Sequence, residues 1–243
     1  MSENSSRDFS TDPPRAAAII VAGGRGSRMD PSGLPKQYRE LMGTPMLLWS
    51  VRTLSSHPRI HHTVVVLPPD DAARPPPWLQ SRSVSIVAGG ATRGESVRLG
   101  LEAVPVGYDV ALIHDGARPF VSNALVERVL SAVVEGGVIA AVKVTETVKR
   151  SGPDSMIAGT VDRADLWLAQ TPQAFPLECL RDLYRRAAGE DWSGTDDAAL
   201  CERYGVPVRL VEGEAENIKI TTESDFRMAA TLARSVHGTG ILD

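Results

Sequence analysis

Short apolar runs recur along this chain, and stretches with a different rhythm separate them. AAAIIVA (16–22), TVVVL (63–67), VSIVA (84–88), DVALIH (109–114) and VIAAVKV (138–144) are continuous apolar segments of strand length, so they are predicted as buried strands. Between them, residues 45–57, 92–104 and 122–135 space their apolar positions three and four apart, which predicts helices. Ser122 stands where the last of these would take its N-cap. Strands alternating with helices imply right-handed βαβ units, hence an α/β fold whose doubly wound, mostly parallel sheet is covered on both faces. Five prolines between Pro68 and Pro77 predict a loop or a short interrupted helix.

The rhythm breaks at 145–163, TETVKRSGPDSMIAGTVDR. Two polar, extended arms flank a Ser-Gly-Pro-Asp turn, which predicts a β-hairpin. A lone hairpin is marginal in water, so this arm is expected to lean on another surface. Helical patterns resume at about 176–188 and 195–204, strands are predicted at 207–211 and 217–220, and a helix from 222 closes the pattern. Residues 1–15 are rich in Ser, Asp and Pro and are expected to form a disordered tail. One domain over 16–236 is the expected organisation.

Composition narrows the function. The chain has 243 residues, 42% of them hydrophobic, and a formal net charge of −4, so a general nucleic-acid binder is excluded and any basic site must be local. No apolar stretch is long enough to span a membrane, and the first residues are polar and acidic. The expectation is a cytoplasmic protein with no membrane partner. Cys179 and Cys201 lack metal-ligand spacing and are expected as small apolar residues in a reducing compartment. Of 26 basic side chains only four are lysines, which gives Lys36 and Lys219 more weight than any single arginine.

Lys36 follows a glycine-rich turn, AIIVAGGRGSRMDPSGLPKQY (18–38). The turn lacks the spacing of a P-loop. It also fails the dinucleotide fingerprint, because Met29 stands where a third glycine is needed after Gly24 and Gly26. Phosphate binding survives as a reading: backbone N–H groups after a first strand can approach an anion, and Arg25, Arg28 and Lys36 suit a triphosphate. The bland reading is a βα turn with solvated arginines, and for Arg25 alone it is the better one.

AAIIVAGGRGSRM followed by PKQY resembles the signature of sugar-phosphate nucleotidyltransferases, and in detail that of the cytidylyltransferases acting on 2-C-methyl-D-erythritol 4-phosphate. Further motifs fall in that family's order: GGATRGESV (89–97), HDGARPF (114–120), TVDRADLWLAQTPQAF (160–175), GTDDA (194–198) and AENIKIT (215–221). The resemblance implies a Rossmann-like nucleotidyltransferase fold with a protruding β-arm used in dimerisation. It implies attack by a phosphomonoester on the α-phosphate of CTP with release of pyrophosphate, for isoprenoid precursor synthesis. By resemblance, Ala22, Gly23, Gly24, Arg25 and Gly26 hold the triphosphate, and Arg28 and Lys36 stabilise the reacting phosphate. Gly90, Arg93, Ser96, Asp115 and Gly116 contact the nucleotide, with Asp115 also the ligand of Mg²⁺ or another divalent cation. Thr147, Arg163, Thr195 and Lys219 bind the polyol phosphate, Arg163 and Lys219 placing the attacking group.

Two departures from the family pattern stand out. Ala91 replaces an acidic residue found in some members, which leaves only a backbone contact there, and Glu216 replaces the usual Asp. Arg118 is expected as a salt-bridge partner, Asp196 as a helix N-terminal charge, and His114 as a packed strand-end residue. The resemblance also implies a homodimer whose active sites are shared, Lys36 coming from one subunit and Thr147 with Arg163 from its neighbour. Two rival readings remain at this point: a ribitol 5-phosphate cytidylyltransferase, and a non-catalytic nucleotide-binding regulator on the same fold.

Overall fold

The computed structural model describes residues 13–24, 35–133, 136–190 and 194–237. The first twelve residues of the expected tail, and Arg25, Gly26 and Arg28 of the glycine-rich turn, lie outside the described residues. Arg15, the last residue of the expected tail, is tied to the domain. The Arg15 backbone N–H donates to Asp109 at 2.9 Å, and its guanidinium lies over the Tyr108 ring.

The strands are β1 (Ala16–Val21), the two-residue β2 (Glu40–Leu41) and β3 (Thr44–Pro45), β4 (Ile60–Leu67), β5 (Val84–Ala88), β6 (Val110–Asp115), β7 (Gly137–Lys143), β8 (Val148–Ser151), β9 (Ile157–Val161), β10 (Trp167–Pro176) and β11 (Val208–Glu212). The helices are α1 (Met46–Ser56), α2 (Pro69–Ala73), α3 (Arg93–Glu102), α4 (Asn123–Ser131), α5 (Leu177–Ala187), α6 (Asp197–Arg203) and α7 (Glu223–His237). Seven strands form one sheet in the order β11-β7-β10-β6-β1-β4-β5. All neighbours pair in parallel except β10, which runs antiparallel to both β6 and β7.

The strands are apolar throughout because both faces are covered. In β1, Ala16, Ala18 and Ile20 face a layer containing Leu47, Val51 and Leu54 of α1 and Leu125, Val126 and Val129 of α4. Ala17 and Ile19 alternate onto the other face, with Val97 and Leu101 of α3, Leu180 and Leu183 of α5, and Leu200 and Cys201 of α6. A third cluster joins Leu41, Met46, Trp49, Phe120 and Ile220 to Ala229 and Ala233 of α7. Burying one Leu or Ile side chain contributes about 1.5–3 kcal/mol, and each layer buries many such side chains. Ser122 caps α4 by accepting from the Leu125 N–H at 3.0 Å, as its position predicts.

Two sequence expectations fail. Residues 217–220 form no strand. Asn217 and Ile220 are buried while the segment crosses the end of the sheet, tied by the Ile220 N–H to the Ala117 carbonyl at 2.8 Å. More consequentially, β10 has no counterpart among the predicted strands, although it lies between β6 and β7 near the centre of the sheet. Its middle reads QTPQ, with the alternation hidden by polar residues that are nonetheless buried: Gln170, Thr171 and Gln173. They sit at a bulge where the pairing with β7 slips between Ala169 and Gln173.

The predicted hairpin is present as β8 and β9, a separate two-stranded sheet. None of its strand residues is buried, and Met156 and Ile157 at its tip are 70% and 68% exposed.

Candidate active site

The chain reverses its direction of strand addition at β1. From there β4 and β5 are laid down on one side and β6 on the other, and in open α/β sheets such a switch point opens a crevice beyond the carboxyl ends of the strands. A pocket lies there, lined by the ends of β1 and β6, by Gly90 to Arg93 at the start of α3, and by Lys36 and Lys219 from distant segments. The fold thus gathers Ala22, Gly23, Gly24, Lys36, Gly90, Arg93, Ser96, Asp115, Gly116 and Lys219 at one place. Gly116 is required by close approach. A Cβ there would meet Leu47 at 2.9 Å and the Val21 carbonyl at 3.3 Å, which would push apart the two strand ends that frame the pocket.

Thr147, Arg163 and Thr195 do not line this pocket. All three are exposed, and Arg163 donates to the Thr145 carbonyl, closing the base of its own arm. Glu216 is exposed as well and stands apart from the pocket.

Asp115 is the electrostatic centre. Its Oδ1 accepts from Arg93 Nε at 3.1 Å and its Oδ2 pairs with Lys219 Nζ at 2.7 Å. Burial alone would raise its pKa, but Arg93 and then Lys219 outweigh burial and hold the carboxyl well below the usual carboxylate range. It is ionised at any working pH. Desolvation would likewise lower the pKa of Arg93, but Asp197 and then Asp115 outweigh it and hold the guanidinium above its ordinary value. Lys36 Nζ donates to the Ile220 carbonyl at 3.3 Å, which brings the PKQY segment against the 217–221 crossing. Among the described lining residues three cations face one carboxylate, so the pocket suits an anion.

Several expected ligands turn out to be engaged within the protein. The Ser96 hydroxyl accepts from the Gly90 N–H at 3.1 Å and donates to the Thr92 carbonyl at 2.9 Å, holding the glycine turn over α3. The Ala91 N–H, the backbone contact expected to survive at that departure, is taken by Glu95 Oε2 at 2.7 Å. The Glu95 side chain also fills the space where a Gly90 Cβ would stand. Among the described residues Arg118 makes no salt bridge. Its guanidinium donates to the backbone carbonyls of Asn217 at 2.7 Å and Ala169 at 3.4 Å, braces the 217–221 crossing, and has its pKa lowered by burial. Asp196 caps α6, accepting from the Ala199 N–H at 3.0 Å.

The residues that sequence reasoning missed form the mounting of the site, and most belong to β10. The Thr171 hydroxyl accepts from the Asp115 N–H at 3.0 Å. Gln170 Oε1 accepts from the Glu214 N–H and from Asn217 Nδ2, and Asn217 also donates to the Thr171 carbonyl at 2.8 Å. Gln173 Nε2 donates to Asp196 at 2.9 Å. One strand therefore fixes the Asp115 turn, the Lys219 crossing and the start of α6. His114 completes the bracket. Its Nε2 lies 3.0 Å from the Arg118 carbonyl, which can only accept, so Nε2 carries the proton and Nδ1 accepts from the Thr171 hydroxyl at 3.2 Å. The available signal was the QTPQ run itself, polar residues of turn character set inside an apolar frame.

A switch-point pocket with this lining and a family signature can be compared with known proteins. The family model described as "IspD: 2-C-methyl-D-erythritol 4-phosphate cytidylyltransferase" matches residues 16–235. The chain belongs to this family. It is a cytidylyltransferase, and the family's place is in isoprenoid biosynthesis. A 2-C-methyl-D-erythritol 4-phosphate cytidylyltransferase of Syntrophus aciditrophicus (strain SB) is 41% identical over 231 residues, covering 93% of this chain and 98% of the relative. A bifunctional enzyme IspD/IspF of Rhodopseudomonas palustris (strain HaA2) is 43% identical over 240 residues, and there the match spans 59% of the longer relative. Among solved structures, the 4-diphosphocytidyl-2C-methyl-D-erythritol synthase of Anaerococcus prevotii DSM 20548 superposes with a TM-score of 0.80 at 31% identity, covering 91% of this chain and 96% of that one. The Thermus thermophilus 2-C-methyl-D-erythritol 4-phosphate cytidylyltransferase gives 0.75 at 33% identity, covering 89% and 98%. The expected α/β fold and family are therefore both found.

Proposed function

We propose that this chain transfers CMP from CTP to 2-C-methyl-D-erythritol 4-phosphate. The observation that carries the reading is the cationic switch-point pocket, lined by residues of four family motifs together with the PKQY lysine. The substrate phosphate oxygen forms a bond to the α-phosphorus of CTP, the bond from that phosphorus to the β-phosphate bridging oxygen breaks, and pyrophosphate leaves. A phosphomonoester is largely dianionic at neutral pH, with a second pKa of about 6, so no general base is needed. The work left to the protein is alignment and charge neutralisation. In this reading the backbone at Ala22 to Gly24 receives the triphosphate, Arg93 balances its charge, Lys36 stabilises the reacting α-phosphate, and Lys219 balances the incoming phosphate.

Asp115 has the chemistry of a one-carboxylate Mg²⁺ site. It is ionised, lines the pocket beside the phosphate-binding turn, and one of its two partners, the Lys219 side chain, is 43% exposed and free to turn aside. Mg²⁺ commonly takes one or two carboxylates and completes its shell with substrate phosphates and water. When bound, the ion supplies further neutralisation of the triphosphate.

Thr147 and Arg163 stand outside the pocket on or beside an arm with no buried strand residue and an apolar tip. This supports a homodimer in which the arm of one copy covers the pocket of the other and delivers these residues to its polyol phosphate. The reaction is tested by pyrophosphate release from CTP with a panel of polyol phosphates. Rapid release with methylerythritol phosphate is expected, and release with ribitol phosphate alone would overturn the substrate.

A further inference from the structure

Asp197 is a buried charge that the transfer itself does not use. It opens α6 and is wholly buried. Its Oδ1 accepts from the Tyr184 hydroxyl at 2.5 Å, and its Oδ2 accepts from Arg93 Nη2 at 2.9 Å. Arg93 thus spans two carboxylates, Asp197 on one side and Asp115 on the other through Nε at 3.1 Å. A guanidinium is planar, so bonds at two of its nitrogens fix both its plane and its heading. Among the described residues its third nitrogen, Nη1, has no protein partner, and Arg93 lines the pocket.

Asp115 and Asp197 compete for one cation. Were Asp197 neutral, Asp115 would be the remaining carboxylate, and a carboxylate with an arginine prefers the bidentate fork that uses two guanidinium nitrogens at once. Arg93 would then close on Asp115 through Nε and Nη2, and its plane would turn, so that Nη1 would leave the heading that the two carboxylates together give it. Tyr184 holds Asp197 from α5, on the face of the sheet where α3 and α6 also pack, and Gln173 and Asp196 fix the start of α6 from β10. Every end of the bracket is anchored in the core.

We propose that Asp197, steadied by Tyr184, is a positioning residue that holds Arg93 open for the nucleotide anion. The inference rests on the reading of the pocket as a CTP site. Asp197 touches no substrate. It sets where the arginine that does so stands.

The test is a double-mutant cycle on CTP affinity, measured by calorimetry with Mg²⁺ on the full chain. Asp197→Asn should weaken CTP binding about tenfold, Arg93→Ala should weaken it at least as much, and the double variant should match Arg93→Ala alone, because Asp197 acts only through that side chain. A general effect on the α6 fold would instead multiply with the loss of Arg93. Tyr184→Phe is the gentler variant, used as well in case Asp197→Asn does not fold. Its expected loss of about two- to threefold should likewise vanish in the Arg93→Ala background. Unchanged CTP affinity in Asp197→Asn, or losses that multiply across the cycle, would overturn the proposal. Wild-type protein that binds no CTP would overturn the nucleotide reading itself, a result distinct from either.

Discussion

Asp115 and Arg163 are both charged residues of family motifs, yet they live in opposite physical settings. Asp115 is 7% exposed, paired to Arg93 and Lys219, and hung from Thr171 by its own backbone. Arg163 is exposed, and its guanidinium bonds the backbone of the arm it closes. In the proposed reading the nucleotide half of the site is set within one chain, by Asp115 and the buried residues that hold it. In the proposed homodimer the polyol-phosphate half has Lys219 in place and waits for a second chain to bring Thr147 and Arg163. Preorganised charge is worth most in a dry site, so the chemistry should depend most on the braced half.

The largest expected effect follows from that. Lys36→Ala should lower kcat by at least about 10²-fold with little change in CTP affinity, as for loss of a fixed charge donor at the reacting phosphate. A raised KM with unchanged kcat would make Lys36 a ground-state ligand and weaken the contrast. Asp115→Asn keeps the shape and removes the charge. Activity should fall by about tenfold or more and what remains should need more Mg²⁺, read from a magnesium titration of initial rates. A titration curve identical to wild type would leave Asp115 as a structural anchor for Arg93 and Lys219.

The smallest effect concerns the bracket itself. Burial pushes the His114 pKa down to about 4 from an ordinary 6.5. The unfolded chain therefore takes up a proton first as pH falls, so His114's contribution is intact above pH 6.5 and is lost as pH drops towards 4. Thermal melts over that window should show stability rising with pH, and His114→Asn should flatten the slope. An equal slope in the variant would mean that the neutral, Nε2-protonated tautomer is not what holds Thr171 and Arg118.

Legibility in the sequence followed the same division. Every strand of the main sheet except β10, the longer helices and the arm could be read from periodicity, because apolar layers on both faces leave continuous runs in β1 and β4 and helical spacing in α1 and α4. The residues that touch the pocket could be read from motifs, since glycines and isolated lysines are conspicuous beside abundant arginine. The mounting could not be. Gln170, Thr171, Gln173 and Asn217 are polar residues whose side-chain partners lie up to 57 positions away, and neither propensity nor spacing records a buried hydrogen bond between distant segments. Asp197 was visible only as the second acid of GTDDA. The 217–220 run looks like a strand because Ile218 and Ile220 alternate with Asn217 and Lys219, but the alternation serves a crossing that hides Ile220 and offers Lys219 to Asp115.

The central claim is that each active site joins the braced pocket of one chain to the arm of another, and a mixing experiment tests it most directly. Lys36→Ala and Arg163→Ala homodimers should each be nearly inactive. Co-expressed in equal amounts, the two chains would pair at random into about half heterodimers, each with one site lacking both groups and one intact, so about a quarter of wild-type sites should reappear. Recovery of pyrophosphate release towards that level in the mixture, and towards about half of wild type in heterodimers purified through two different tags, is the predicted result. Verified heterodimers with no recovered activity would contradict the account and return Lys36 and Arg163 to the same chain.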